Sequence, residues 1–460
     1  MMTVAKELAH YIGQLKFADL PPEIVDQTKL CILDWIGAAL PGSRQKPVRM
    51  LMEVLRTGGG KGECTIIGLG MKTSCLNAAF INGALSYILK LDQSSPYGSM
   101  THPQSPMIPA AFAIAERGER RGKDFIIAVL LGFEVGVRTA MAVNPSHMGE
   151  RGFHTVGTCG TFGAAAAAGK LLTLKEDQMV HALGIAGTQA AGLTVSLETP
   201  SRILHAGKAA YNGALAAMLA KKGFTGAEDI FEGEGGFCQA MANLFDLSKL
   251  TAGLGETYLI RDQRFVRYVT CGAMHATIDA VIELTKTHGI RAQDIDLIDA
   301  RTFPITMDLC GHVQEPRTLS DAQFSLPFAL AVAAIDGQVS IDQVTAKRLK
   351  DPEVLALAKK VRGSVDPEFA ALGYAGSGNL YHSAKVTIKI RDGLEFYQKV
   401  DFHKGYRQNP FTEEELMEKF RSLSLKVLPK SRVEEIIKVV KELEKLDSMS
   451  KLARLLSPRG

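Results

Sequence analysis

No CxxC pair occurs among the seven cysteines, whose number is odd and whose positions (Cys31, Cys64, Cys75, Cys159, Cys238, Cys271, Cys310) are scattered along the chain. A disulfide framework and a zinc ribbon are therefore both unsupported, and a reducing cytoplasm is the expected location. No apolar run is expected to reach the roughly 18 residues that span a bilayer. The opening segment Met1-Met2-Thr3-Val4-Ala5-Lys6-Glu7-Leu8 carries charge where a secretory signal needs an apolar core, so neither export nor a membrane role is expected. An excess of one charge is missing too: 53 Lys plus Arg stand against 49 Asp plus Glu, a formal net charge of +4. That balance argues against a nucleic-acid partner held by a basic face and leaves small, locally bound anions. No fixed-period repeat, low-complexity tract or long linker interrupts the 460 residues. With 46% hydrophobic and 22% charged residues, the chain is an ordinary globular one, long enough for two or three domains with large cores.

Several catalytic signatures are also lacking. Gly157-Thr158-Cys159-Gly160-Thr161-Phe162-Gly163 precedes an Ala-rich helix, but no strand comes before it, so the dinucleotide fingerprint is not met and close helix packing explains the glycines. Gly68-Leu69-Gly70-Met71-Lys72-Thr73-Ser74 ends like a P-loop without the glycine spacing that shapes a phosphate nest. There is no HExxH, no helical His pair at i, i+4 and no GxSxG elbow. No metal or cofactor is expected. Cys159 reads as a small buried residue rather than a nucleophile.

What is present is helix. From Thr3 to about Gly255 apolar residues recur at spacings of three and four, as in Ile108 to Ala115, Phe125 to Val137 and Phe162 to Leu172. Near Tyr258 the pattern changes. Ile295 to Phe303 alternates like a strand, and Lys385 to Ile390 with Phe396 to Phe402 forms an alternating pair around the turn Arg391-Asp392-Gly393. His275 to His288, Phe324 to Asp336 and Pro352 to Val361 read as helices between them. Thr412 followed by Glu415 is a capping box that restarts helix, and Ser431 to Leu446 is a charged amphipathic helix. The expected fold class is multidomain, α and α+β: a large all-helical lobe formed by both chain ends, residues 1–262 and 403–460, with an inserted α+β lid domain over 263–402.

Polar residues in apolar surroundings mark the candidate site. Asp92 follows Tyr87-Ile88-Leu89-Lys90-Leu91, and His102-Pro103 stands just before an apolar helix. His154 lies in Arg151-Gly152-Phe153-His154-Thr155-Val156-Gly157-Thr158, and Arg202 and His205 lie in Pro200-Ser201-Arg202-Ile203-Leu204-His205-Ala206-Gly207. Each loop precedes a helix, where the positive end of the helix dipole favours an anion, and together they suggest one shared anionic pocket.

At these residues the sequence resembles the MmgE/PrpD family, whose members include 2-methylcitrate dehydratase, cis-aconitate decarboxylase and an iminodisuccinate epimerase. The likeness runs through Gly152-Phe153-His154-Thr155-Val156-Gly157-Thr158-Cys159-Gly160, Leu204-His205-Ala206-Gly207-Lys208-Ala209-Ala210, Gly223-Phe224-Thr225-Gly226, Ala322-Gln323-Phe324-Ser325-Leu326-Pro327 and Gly405-Tyr406-Arg407-Gln408-Asn409-Pro410-Phe411-Thr412. It implies a cofactor-free homodimer and a pocket whose polar lining matches Asp92, His102, His154 and Arg202. The chain also departs from the family. Tyr87, Lys90 and Gln93 replace a His and acidic residues, Arg202 replaces a common Lys, Val266 stands at an expected Lys, and Cys271 stands at a His used by decarboxylases. Arg264 or Arg267 is the expected replacement cation.

The family's shared chemical step is making or quenching a carbanion beside a carboxylate, which needs a base, an acid and cations. His102, His154 and Asp92 are accordingly the expected catalytic residues, with Arg202, Arg267, Tyr87 and His205 contacting a small anionic carboxylate. The first expectation is a hydro-lyase (dehydratase) acting on a citrate-like hydroxy-polycarboxylate such as 2-methylcitrate. An epimerase or racemase, a decarboxylase, and a catalytically silent binding relative remain the alternatives.

Overall fold

The computed structural model describes residues 2–95, 98–374, 376–377 and 380–458, with backbone alone at 376, 377, 380 and 381. Two compact units divide the chain. One comprises Met1–Ile88, Asp92–Gln263 and Thr412–Gly460, and the other Leu89–Leu91 and Arg264–Phe411. The helical unit thus draws on both ends of the chain, and an α+β unit is inserted between them.

Helix starts in the first unit follow local chemistry. Thr3 caps Val4–Gln14 by accepting the Lys6 N–H at 3.3 Å, and Pro22 occupies the first turn of Pro22–Gly42, where its missing N–H costs nothing. The centre of the unit is built from Cys75–Tyr87, Gln104–Arg117, Gly122–Val143, Cys159–Leu171 and Ile203–Lys221, which pack on one another. Alanine and glycine let their backbones approach closely. A β-carbon at Gly163 would lie 2.5 Å from the Gly132 carbonyl oxygen, so the glycine run at 157–163 serves packing, as its sequence context suggests. Cys159 is fully buried, and burial pushes its thiol well above the usual range.

Gly122–Val143 has the length and composition of a membrane span, with a mean hydropathy of 1.9 over its most apolar window, although 94% of that window is buried in the protein. Phe125 to Val137 is helical as its pattern indicates, but the expectation that no apolar run reaches spanning length does not hold once Glu134 and Arg138 are counted within the run. These two residues pair inside the unit. Arg138 Nε donates to Glu134 Oε2 at 3.1 Å, the Leu259 N–H donates to Glu134 Oε1 at 2.5 Å, and the Arg138 fork reaches the Ala252 and Thr257 carbonyls at 2.5 and 3.4 Å. Thr412 and Glu415 form the expected capping box on Glu413–Ser424, which packs on Pro22–Gly42 and sends Lys419 Nζ to Asp34 Oδ1 at 2.6 Å.

The second unit holds a four-stranded sheet in the order Val361–Val365, Ile295–Thr302, Ala384–Ile390, Glu395–Val400, parallel in the first pair and antiparallel in the others. Ile298, Ala300, Ala384, Val386 and Ile388 are buried on its inner face, while Glu395–Val400 alternates between exposed and half-buried positions, as an edge strand does. His275–His288 packs on the last two strands, and Gly393 (φ +90°) makes the hairpin turn. The helix expected over Pro352 to Val361 stops at Ala358, and Val361–Val365 is a strand instead. Only Val361 of its five residues is buried, so no alternation announces it, and its partner lies some sixty residues earlier in the chain. Helix restarts at Thr412 as its capping box indicates, and the helical unit resumes there rather than at His403. Gly405 (φ +107°) lies so close to Phe265 that a β-carbon would be 2.0 Å from the Phe265 carbonyl oxygen, which keeps 403–411 with the inserted unit.

Burial pushes the Glu134 carboxyl up from its ordinary 4.5 to about 7, against the opposing pull of Arg138 and the backbone N–H groups. The folded chain therefore holds this proton where the unfolded chain has lost it, and the group's contribution to stability falls as pH rises from about 4.5 to about 7. Glu134→Gln should flatten that part of a Tm-against-pH curve. Arg138→Met strands the buried carboxyl and should cost about 3–5 kcal/mol in denaturant unfolding.

Candidate active site

Six of the seven expected site residues lie in the helical unit, on segments that meet at helix ends. Tyr87 is the last residue of Cys75–Tyr87, Asp92 and His102 occupy the stretch leading to Gln104–Arg117, and His154 precedes Cys159–Leu171. Arg202 closes a 3₁₀ turn from which Ile203–Lys221, carrying His205, continues. Lys90 (φ +56°), two residues before Asp92, and Met100 (φ +52°), two residues before His102, are in left-handed backbone, a conformation that surrounding packing must hold for non-glycine residues.

Among the described residues His102 Nδ1 faces only acceptors: Asp92 Oδ2 at 3.2 Å and the carbonyls of Asp92 and Gln93 at 3.3 and 3.0 Å. The proton therefore sits on Nδ1, and Nε2 is left as the nitrogen that can act on a ligand. The Asp92 side chain is fully buried and takes a further hydrogen bond from Ser105 Oγ at 3.4 Å, while that of His102 is 21% exposed. The pair has the form of an oriented acid/base group: a buried carboxylate behind an imidazole with one open end.

Tyr87 lies between this pair and a second group. Its ring meets His102 edge-on with centroids 5.9 Å apart, and its hydroxyl is 3.2 Å from His154 Nε2. His154 Nδ1 is in turn 2.9 Å from His205 Nδ1, so one of these two nitrogens must donate and the other accept. Tyr87, His154 and His205 thus form one hydrogen-bonded chain. Arg202, 1% exposed, is held by its fork to the Ile88 carbonyl at 2.8 Å and the Leu197 carbonyl at 3.3 Å, which fixes a cation one residue beyond Tyr87.

Arg267, the seventh expected residue, belongs to the inserted unit. Its half-exposed guanidinium lies over the Tyr268 ring and 3.8 Å from Asp279 Oδ1. Arg264 is buried and donates to the Tyr406 hydroxyl at 2.5 Å. Val266 and Cys271 are both buried.

The structure adds a supporting group behind Asp92. Gln93 Nε2 donates to Asp34 Oδ2 at 3.3 Å and to the Cys31 carbonyl at 3.1 Å, and Asp34 is the carboxylate that Lys419 reaches. Burial raises the Asp34 carboxyl, with Lys419 opposing and the Asp92 charge adding to the rise. The signal was available in the sequence, since Asp34 interrupts the apolar run Ile32-Leu33-Asp34-Trp35-Ile36. Among the described residues no group of three or more His, Cys, Asp or Glu side chains converges as metal ligands would.

A divided helical unit with an α+β insertion, and paired imidazoles beside a buried Arg, define a class. The chain matches the MmgE/PrpD N-terminal domain over residues 6–249 and the MmgE/PrpD C-terminal domain over residues 268–445, and it belongs to that family. It is similar over nearly its whole length to named relatives. The cis-aconitate decarboxylase of Aspergillus terreus is 31% identical over 482 positions, covering 99% of this chain and 96% of that protein. The cis-aconitate decarboxylase-like protein oryM of Aspergillus oryzae is 28% identical (99% and 97% covered), and the human cis-aconitate decarboxylase is 27% identical (99% and 95% covered).

His102→Gln should lower kcat by about a hundredfold or more. Asp92→Asn, which turns an acceptor into a donor facing Nδ1, should lower it at least about tenfold with little change in Tm. Steady-state kinetics beside a thermal melt checks both, and an unchanged kcat in either variant removes the pair from the site.

Proposed function

We propose that this protein is a lyase acting on a small tricarboxylate, and that it decarboxylates an unsaturated acid of the cis-aconitate type. The observation that carries the reading is the gathering, in one unit, of the buried cation Arg202 with two proton-carrying groups, Asp92–His102 and Tyr87–His154–His205. Support also comes from the likeness to decarboxylases along nearly the whole chain.

In such an acid the departing carboxylate sits on a carbon next to the double bond. As its C–C bond breaks and CO₂ leaves, the electron pair forms a new double bond, and the old alkene carbon takes a proton. Negative charge that develops towards the remaining carboxylates is stabilised by Arg202, and the proton comes from a positioned acid. A carboxylate entering beside a buried guanidinium is held by charge-assisted hydrogen bonds, stronger than those available to a neutral ligand.

Dehydration of a hydroxy-tricarboxylate is the second reading, and one feature favours it. Elimination needs a base for the C–H proton and an acid for the departing hydroxyl, whereas decarboxylation needs only an acid; the site holds two separate proton-carrying groups.

The two readings separate in one assay. With cis-aconitate, citrate and 2-methylcitrate offered in turn, a decarboxylase releases CO₂ from the first, whereas a dehydratase generates alkene absorbance from a hydroxy acid and releases no CO₂. CO₂ release that Arg202→Lys weakens mainly through KM is the expected outcome. The absence of any turnover of these acids would count against both readings.

A further inference from the structure

We propose that Tyr87, His154 and His205 form a proton wire, with His205 as the inlet and the Tyr87 hydroxyl as the outlet, so that Tyr87 rather than His154 delivers the proton to the substrate. The inference rests on the lyase reading above and assigns the step that this reading leaves to a general acid.

The geometry points to a wire because His154 is the middle member of a bonded chain. Its Nε2 is engaged by the Tyr87 hydroxyl at 3.2 Å and its Nδ1 by His205 Nδ1 at 2.9 Å, so neither ring nitrogen meets a ligand without first giving up a partner. Exposure rises in one direction along the chain: Tyr87 is at 0%, His154 at 2%, and His205 is half-buried. The ring of His205 is confined by two glycines, since a β-carbon at Gly157 would lie 3.3 Å from its Cβ and one at Gly192 would lie 3.3 Å from its Cγ. The backbone of His154 is held by its N–H donating to the Gly192 carbonyl at 3.0 Å. Both imidazoles are thus fixed at hydrogen-bond distance, as proton transfer between them requires. At the other end Tyr87 lies edge-on to His102, the other proton-carrying group, beside the backbone carbonyl that holds Arg202.

The step balances. The Tyr87 O–H proton passes to the alkene carbon as CO₂ leaves, the His154 Nε2 proton passes to the phenolic oxygen, and the His205 Nδ1 proton passes to His154 Nδ1. His205 then takes one proton from water at Nε2. After product leaves, the reverse relay restores both rings: water protonates the phenolic oxygen as the Tyr87 proton passes to His154 Nε2, the His154 Nδ1 proton returns to His205 Nδ1, and the His205 Nε2 proton returns to water. One solvent proton enters for each proton placed on carbon.

Three measurements test this. Tyr87→Phe should lower kcat about a hundredfold while KM stays within about threefold, because the outlet is lost and the carboxylate clamp is kept. His205→Ala should lower kcat about tenfold or more without a matching loss of Tm, and added imidazole should restore much of the rate by entering the space left behind. In ¹⁵N-histidine NMR without substrate, one strongly deshielded Nδ1 proton shared by His154 and His205 should be present in the unmodified protein and absent from His205→Ala. An unchanged kcat in Tyr87→Phe overturns the assignment, as does a His205→Ala loss that imidazole leaves untouched. Failure of the unmodified protein to turn over any tricarboxylate instead removes the lyase reading, and the shared Nδ1 proton then tests the wire on its own.

Discussion

The site depends on one close crossing between helices, where Cys75–Tyr87 meets Ile203–Lys221. A β-carbon at Gly207 would come within 2.3 Å of the Phe80 ring, and one at Gly83 within 3.0 Å of the Ala206 carbonyl oxygen. Any larger residue at either glycine would push the helices apart. Tyr87 sits one turn beyond Gly83, and His205 lies two residues before Gly207. The approach that brings the backbones together therefore also brings these side chains to opposite sides of His154, and the small core cluster of Tyr87, Val156 and Ala206 marks the same meeting point. Alanine and glycine in this unit are functional through what they leave room for.

Polar groups buried in such a core must find partners, and the way they do so organises the rest of the unit. Glu134 and Arg138 hold the 252–260 segment against the Gly122–Val143 helix, just before the chain leaves for the inserted unit. Asp34 receives Lys419 from the C-terminal part of the chain and touches Gln93, whose carbonyl is one of the acceptors around His102 Nδ1. A charge supplied by the end of the chain thus supports the candidate-site stretch near its beginning. That linkage is a physical reason for the helical unit to be built from both ends.

Much of the fold was legible because its signals are local. The Thr412–Glu415 capping box, the Arg391-Asp392-Gly393 turn and the extent of His275–His288 each depend on residues within a few positions of one another, and the structure has them where the pattern puts them. Two features gave little or no local sign. Val361–Val365 buries one residue of five and pairs in parallel with a distant strand. The boundary of the inserted unit, beyond His403, is set by how Gly405 packs on Phe265.

The candidate site divides in the same way. Histidines and a carboxylate standing before apolar helices were visible in the chain alone, because a polar side chain in such a place needs a reason. Which nitrogen faces which partner was not visible. Asp92 and His102 are ten residues apart, and their pairing was within reach of a reader; His154 and His205 are 51 apart, Tyr87 and His154 are 67 apart, and Asp34 and Lys419 are 385 apart. By itself the sequence determined most of the element types, the divided helical unit and the residue kinds able to move protons beside a carboxylate. Only the tertiary structure decided that two imidazoles share a hydrogen bond, that a phenol ends their chain, and that Arg267 lies 3.8 Å from Asp279. Helix caps and apolar periodicity act over a few residues of backbone, whereas contacts between distant side chains exist only after close packing has chosen which helix faces meet.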